Sequence, residues 1–144
     1  MIRKIVLLLA LFLFLFDFSF AQRTAEVNLA GYYMVPEVRT PAIGFVEVTV
    51  EGDTLFVEGN FSDLRGTYWS AHIHYGGPRD SGNRLYRLTA VLNEERSGGE
   101  FRAEDNRFVL RQAQIEALSE GKLYIKIASN RSQRGEIRGQ IPVM

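Results

Sequence analysis

The chain has 144 residues, no cysteine, two histidines and equal numbers of basic and acidic side chains, so its formal charge is zero. This length suits one domain, or one domain with an appendage. The lack of cysteine excludes disulfide bonds as a source of stability. The balanced charge excludes the broad basic surface of a nucleic-acid-binding protein and argues against electrostatic docking on anionic membranes.

The N-terminal segment differs in composition from the rest of the chain. Two basic residues precede an unbroken apolar run of twelve residues at 5–16, whereas a transmembrane helix needs roughly 20. Small Ser19 and Ala21 then occupy the −3 and −1 positions of a signal-peptidase site. Residues 1–21 are therefore predicted to be a secretory signal peptide, with a retained N-terminal anchor as the alternative. The mature protein, 22–144, would be secreted or periplasmic, without stable membrane insertion.

Alternation of apolar and polar residues dominates residues 22–144, which predicts β-strands. No linker or repeat interrupts this region, so it is predicted to be a single domain. Gly, Asn and Asp at the joints between short strands are typical of an antiparallel sandwich or barrel. Strands are predicted at 26–29, 45–50, 54–58, 70–75, 84–92, 98–103, 123–128 and 136–141, with a hairpin turn at 51–53.

One segment, 111–120, lacks alternation and is rich in helix-forming residues. Leu110, Ala113, Ala117 and Leu118 fall near one face of the predicted helix. Gly121 follows at a position where glycine commonly ends a helix. This short helix is interpreted as part of the scaffold.

Both histidines lie in the predicted strand 70–75, two residues apart, as His72 and His74. Alternate residues of a strand project to the same side, about 6.6 Å apart along the chain. Neutral imidazole suits zinc, copper, nickel or iron, so the pair is a candidate metal site. The alternative is that both rings bond to backbone or to charged neighbours within the sheet.

Two histidines supply only half of an ordinary zinc centre, which takes three or four protein ligands. The remaining ligands would have to be carboxylates or water, because the chain offers no third histidine and no cysteine. The candidates are Asp80, Glu136 and Asp63.

The segment 135–141 forms a second polar cluster. Alternation places Glu136, Arg138 and Gln140 on one face of the last predicted strand, opposite Ile137 and Ile141. The interpretation is a solvated or ion-paired face. Glu136 as a general base is the alternative, but no nucleophile or paired acid is identifiable beside it.

Enzyme motifs are absent from the sequence. No serine lies in a nucleophile turn, and there is no phosphate-binding glycine loop or dinucleotide fingerprint. A loose aromatic set could contact a protein or glycan partner, although packing is the alternative for these side chains. Its members are Tyr32, Tyr33, Tyr68, Trp69 and Tyr75.

The order of motifs resembles the CHRD domain, a family named after chordin that also occurs in exported bacterial proteins. The resemblance covers nearly all of 25–142, and its anchors are the His-x-His strand 71–74 and the closing Gly-Glu-Ile-Arg-Gly-Gln at 135–140. Further matching residues are Leu29-Ala30-Gly31, Val35-Pro36-Glu37-Val38, Thr40, Gly44, Leu55, Phe61-Ser62-Asp63-Leu64, Ala117-Leu118-Ser119-Glu120-Gly121 and Leu123-Tyr124-Ile125.

The resemblance implies an all-β fold: an immunoglobulin-like, superoxide-dismutase-like antiparallel sandwich of Greek-key type, with one short helix near 111–120. It implies no established biochemical activity. Two departures from the family pattern stand out. Ala128 occupies the place of a histidine in many bacterial members, so a third metal ligand is missing, and Met34-Val35-Pro36-Glu37 replaces the usual Glu-Val-Pro-Pro.

The sequence thus predicts an exported, non-enzymatic binding or structural module without a required cofactor. One alternative is a copper or zinc protein that uses His72 and His74. Another is a surface adhesion module that binds a protein or glycan. Superoxide dismutase activity is not expected, because two histidines cannot build that enzyme's copper and zinc centres.

Overall fold

The structure is a computed structural model that describes residues 21–144. The signal peptide predicted at 1–21 lies outside the described residues, apart from its last residue, and stays a prediction. None of the helices within 21–144 has the length and hydropathy that a membrane crossing requires.

Ten strands and one α-helix make up the described part of the chain. The elements are β1 (Arg23–Ala30), a 3₁₀ turn (Gly31–Tyr33), β2 (Ile43–Glu51), β3 (Thr54–Ser62), β4 (Tyr68–Tyr75), β5 (Arg84–Leu88), β6 (Ala90–Leu92), β7 (Gly99–Phe101), β8 (Arg107–Val109), α1 (Gln112–Ser119), β9 (Leu123–Ser129) and β10 (Ser132–Gln140). The all-β class and the short helix are therefore as predicted.

The strands form one antiparallel sheet in the order β5-β4-β9-β10-β1-β2-β3-β7-β6, with β8 also paired to β3. Its two ends, β5 and β6, are separated in sequence by Thr89 alone. Near this gap the Tyr68 N–H donates to the Arg96 carbonyl at 2.7 Å, and the Leu64 N–H donates to the Ser97 carbonyl at 2.9 Å. The sheet is consequently close to a closed barrel.

The predicted alternation fills one continuous core. Val46, Val48 and Val50 of β2 are all buried, as are Leu55 and Val57 of the paired strand β3. The hairpin between β2 and β3 turns at Gly52, whose φ of +62° is a conformation that favours glycine. On the other side of the core lie Ile73, Ile125, Ile127 and Ile137.

Three local predictions need correction. The predicted strand 84–92 is split at Thr89, whose N–H and carbonyl bond to the Asn106 side chain instead of a neighbouring strand. Strand β8 was not predicted, because three residues are too few to establish an alternating pattern. In α1 the buried face contains Gln114 and not Ala113, and the Gln114 side chain accepts hydrogen bonds from the Arg111 N–H and the Tyr86 hydroxyl.

Candidate functional site: a loop groove and a histidine pair

The polar face of β10 is buried, so the predicted solvated or ion-paired face is wrong. Glu136 is fully buried and Arg138 is 3% exposed. Both side chains point away from the apolar core, as the alternation predicted, but two loops cover them. No ion pair involves either residue within the described part of the chain.

Glu136 joins three separate segments through its carboxylate. Its Oε1 atom accepts hydrogen bonds from the Thr40 hydroxyl and from the Arg65 N–H. Its Oε2 atom accepts one from the Ser129 hydroxyl. Burial of a carboxylate is costly unless its lone pairs are used, and these three neutral donors use them. Glu136 therefore ties the loop after β1 and the loop after β3 to the sheet.

Arg138 and Gln140 hold the loop between β4 and β5. The Arg138 guanidinium donates to the carbonyls of Gly77 and Asp80 at 2.6 and 2.7 Å. It also lies over the Tyr124 ring, with Cζ 3.5 Å from the ring centroid. The Gln140 amide donates to the carbonyls of Gly76, Gly121 and Leu123. The closing motif thus fixes the backbone of two loops.

These loops enclose an open groove of about 310 Å³ on the surface. Tyr32 and Tyr33 lie in the 3₁₀ turn with ring centroids 5.5 Å apart, and they are 72% and 47% exposed. The Met34 N–H donates to the Gly31 carbonyl at 3.1 Å and closes the turn, and the Val38 N–H donates to the same carbonyl at 3.0 Å and closes the loop that follows. The groove is lined mainly by Tyr32, Tyr33, Val35, Pro36, Pro78 and Arg79. We call it the tyrosine groove.

The histidine pair lies on the outer face of β4, where alternation placed it. The ring centroids of His72 and His74 are 5.9 Å apart. His74 is buried and stacks on Tyr124 at 5.0 Å. Its Nδ1 lies 3.0 Å from the Gly82 carbonyl, which can only accept, so Nδ1 carries the proton. Nε2 is buried without a hydrogen-bond partner.

Cations surround this pair. Arg87 and Lys126 lie directly opposite His72 on the two neighbouring strands, and Arg84 lies opposite His74. Burial and these three cations lower the pKa of His72. Burial lowers the pKa of His74 to about 4, against the effect of its bond to Gly82. Both imidazoles are therefore neutral at pH 7.

The structure does not bring the predicted carboxylate ligands to the histidines. Asp80 accepts a hydrogen bond from the Gly77 N–H, and Asp63 accepts one from the Ser62 hydroxyl. The Glu136 carboxylate already accepts its three hydrogen bonds from Thr40, Arg65 and Ser129. Within residues 21–144, no three or more His, Cys, Asp or Glu side chains are grouped as a metal site. Ala128, which stands where many family members have a histidine, lies on β9 opposite Ser70 and supplies no ligand. The metal hypothesis for His72 and His74 stays a prediction.

The predicted aromatic set does not form one surface. Tyr32 and Tyr33 line the groove, and Trp69 is 55% exposed on β4. Tyr68 stacks on Phe61 with centroids 5.6 Å apart, and both Tyr68 and Tyr75 pack against the core. Only part of the set is therefore free to contact a partner.

The family comparison covers the strands and loops described above. The CHRD domain model matches residues 25–141. The chain belongs to the CHRD family. Chordin from Danio rerio is 32% identical over 129 residues, a match that covers 81% of this chain and 13% of chordin. No solved structure matches the chain.

The motifs typical of the CHRD domain meet in the structure although they are far apart in sequence. Thr40, Glu136, Arg138 and Gln140 all belong to motifs that carried the resemblance, and all four hold loops in place. Sequence reasoning missed Arg65, whose N–H donates to Glu136 and whose guanidinium donates to the Arg39 carbonyl. A backbone N–H such as that of Arg65 can come from any residue type, so the sequence carried no signal for its bond to Glu136.

Proposed function

We propose that the protein is an exported, non-enzymatic CHRD domain that binds another protein through the tyrosine groove. The pair of exposed tyrosines beside Arg79 carries this proposal. Tyrosine and arginine are enriched among the residues that dominate binding energy at protein interfaces. Because the loops are already tied to the sheet by Glu136 and Arg138, binding would cost little loop ordering.

The family supports a binding role but names no partner. Chordin is far longer than this chain, so its activity as a whole protein does not transfer to this domain. Export rests on the predicted signal peptide. A glycan in the same groove is the alternative occupant.

Site-specific photo-crosslinking in the source organism tests the proposal. A photoreactive amino acid would replace Tyr33, which is 47% exposed, and in a matched control it would replace Val109, which is 57% exposed and outside the groove. We expect a discrete protein adduct from position 33 and none from position 109. Equal adducts from both positions, or none from position 33, would contradict the proposal, and a carbohydrate adduct would transfer it to the glycan.

Copper or zinc binding at His72 and His74 is the second candidate function. The unpartnered Nε2 of His74 favours it, because a histidine whose Nδ1–H is held by a carbonyl presents Nε2 as a metal ligand. Two neutral imidazoles on one face fit part of a coordination sphere. Arg84, Arg87 and Lys126 repel a cation, so we expect modest affinity.

Metal content tests this second candidate. The protein would be purified without a histidine tag and dialysed against buffered copper or zinc. We expect close to one equivalent in the unchanged protein and none in His72→Ala, while the matched variant Asn60→Ala on the far side of the sheet keeps its metal. Absence of retained metal in the unchanged protein would make both histidines structural.

For the fold we propose the immunoglobulin-like Greek-key sandwich, with β5-β4-β9-β10 facing β1-β2-β3-β7-β6. The single core shared by buried residues of both groups supports this description. An experimental structure in which these groups do not face each other would contradict it.

A further inference from the structure

A row of basic side chains crosses three neighbouring strands. Arg87 of β5 lies directly opposite His72 of β4, which lies directly opposite Lys126 of β9. His72 alternates with buried Ala71 and Ile73, so the row is on the outer face of the sheet. Neighbouring strands are about 4.8 Å apart, so Arg87 and Lys126 are about 10 Å apart across the sheet. We call these three residues the basic row.

The basic row has no acidic partner within the domain. The ion pairs of the described residues are Arg102 with Glu100 and Lys122 with Glu120. Arg87 and Lys126 repel each other across the neutral ring of His72. Burial, together with Arg84 and Arg138, lowers the pKa of Lys126. The cations of this face are therefore available to an acidic partner.

An acidic row crosses three other strands with the same spacing. Glu26 of β1 lies opposite Glu47 of β2, which lies opposite Glu58 of β3. Glu26 and Glu58 are exposed, Glu47 is half-buried, and none is in an ion pair. We call these three residues the acidic row. It has the same strand-to-strand spacing as the basic row, whose charges at pH 7 are those of Arg87 and Lys126.

The two rows face in opposite directions. Ile73 and Ile125 flank the basic row on the inner side of the sheet, whereas Val46, Val48 and Val57 flank the acidic row, and all five belong to one core. Residues that alternate with them therefore point outward on opposite sides of the domain. A molecule cannot join its own two rows, but two copies can.

We propose that the basic row of one copy docks against the acidic row of a second copy, head to tail. The partner of the basic row is a second copy because the same chain also carries an acidic row of matching spacing on its opposite side. The zero formal charge leaves little long-range repulsion between copies. The contact joins two different faces, so it propagates into rings or open chains. Because the charges are near the surface, salt weakens it.

Sedimentation velocity of the protein expressed from its full sequence tests the proposal. In about 10 mM salt the screening length is about 30 Å, and in about 1 M salt it is about 3 Å. We expect the average mass to rise with protein concentration in the dilute salt and to return to monomer in the concentrated salt. A monomer in both salts would overturn the proposal and leave the basic row to a different acidic partner.

Charge reversals locate the contact. Arg87→Glu and Glu47→Lys should each weaken association about tenfold or more. The matched controls Arg131→Glu and Glu95→Lys, at exposed turn positions outside the rows, should leave it unchanged. Mixing the Arg87→Glu and Glu47→Lys proteins should restore association. The Arg87→Glu protein keeps an intact acidic row, and the Glu47→Lys protein keeps an intact basic row to dock against it. Equal effects of controls and row variants, or no restoration on mixing, would overturn the proposal.

Discussion

Glu136 illustrates how a single side chain connects sequence to site. It is a buried carboxylate whose two oxygens accept from Thr40, Arg65 and Ser129, which belong to three different segments. Alternation correctly placed it on the face of β10 that points away from the core. Alternation reports which side of a sheet a residue occupies but not what covers that side. The burial of Glu136 could therefore not be predicted from its own strand.

Truncation of Glu136 should destabilise the domain. Glu136→Ala leaves the Arg65 N–H without an acceptor and opens a polar cavity, so we expect the free energy of unfolding to fall by about 2–4 kcal/mol. Urea denaturation, monitored by tryptophan fluorescence, measures this free energy. Glu94→Ala, in an exposed turn, is the control and should stay within about 0.5 kcal/mol. Equal stabilities of the two variants would contradict the role given to Glu136.

The lowered pKa of His74 predicts that the stability of the domain depends on pH. Its pKa is about 4 in the folded protein and about 6.5 when unfolded. Between these values the unfolded chain binds the extra proton, so stability falls as the pH drops from 6.5 to 4. The loss attributable to His74 is up to about 3 kcal/mol. Free energies of unfolding, determined in metal-free buffer at several pH values between 6.5 and 4, measure this loss.

His74→Phe is the informative variant for this pH dependence. It keeps an aromatic ring on Tyr124 but has no group that titrates, so its stability should fall less over the same interval. His72→Gln is the comparison variant: the pKa of His72 is also lowered, by burial and by Arg84, Arg87 and Lys126, so this variant shows how much of the fall belongs to the second histidine. Identical pH profiles for the unchanged protein and His74→Phe would show that another group causes the loss.

At the scale of elements, the closing strand β10 and the loop between β4 and β5 behave as one unit. Three backbone carbonyls of this loop accept hydrogen bonds from Arg138 and Gln140. The loop in turn supplies the Gly82 carbonyl that holds His74. Side-chain donors of one strand thus determine the shape of both the tyrosine groove and the histidine pair.

Arg138→Met should loosen this loop while retaining an apolar side chain over Tyr124. Amide exchange of residues 76–82 measures local opening, and we expect it to quicken by about tenfold or more, since two charge-assisted hydrogen bonds are lost. Exchange in the β2–β3 hairpin should not change. Arg134→Met, at an exposed position of the same strand, is the control. Unaltered exchange at 76–82 would contradict the clamping role of Arg138.

The elements that sequence predicted best are those with strong local signals. The hairpin of β2 and β3 combines alternation with a glycine turn, and the end of α1 is marked by Gly121, whose φ is +67°. The split at Thr89 was missed because Asn106, seventeen residues later, takes its backbone bonds. Long-range side-chain partners of this kind leave no periodic trace in the sequence.

At the scale of the whole molecule, the domain is a nearly closed sheet with different chemistry around its circumference. The tyrosine groove, the basic row and the acidic row lie on separate sets of strands and loops. The histidine pair was predictable, since two residues in one strand share a face by geometry. The groove was not, because its walls come from residues 32–37 and 78–79, which only the folded chain brings together.

Binding through the tyrosine groove is the central claim, and the affinity of the cross-linked protein partner for variant domains tests it most directly. Tyr33→Ala should weaken binding by about 2 kcal/mol, or about thirtyfold. Trp69→Ala removes an equally exposed aromatic outside the groove and should leave the affinity within about twofold. An unchanged affinity for Tyr33→Ala, or a larger loss for Trp69→Ala, would contradict the account.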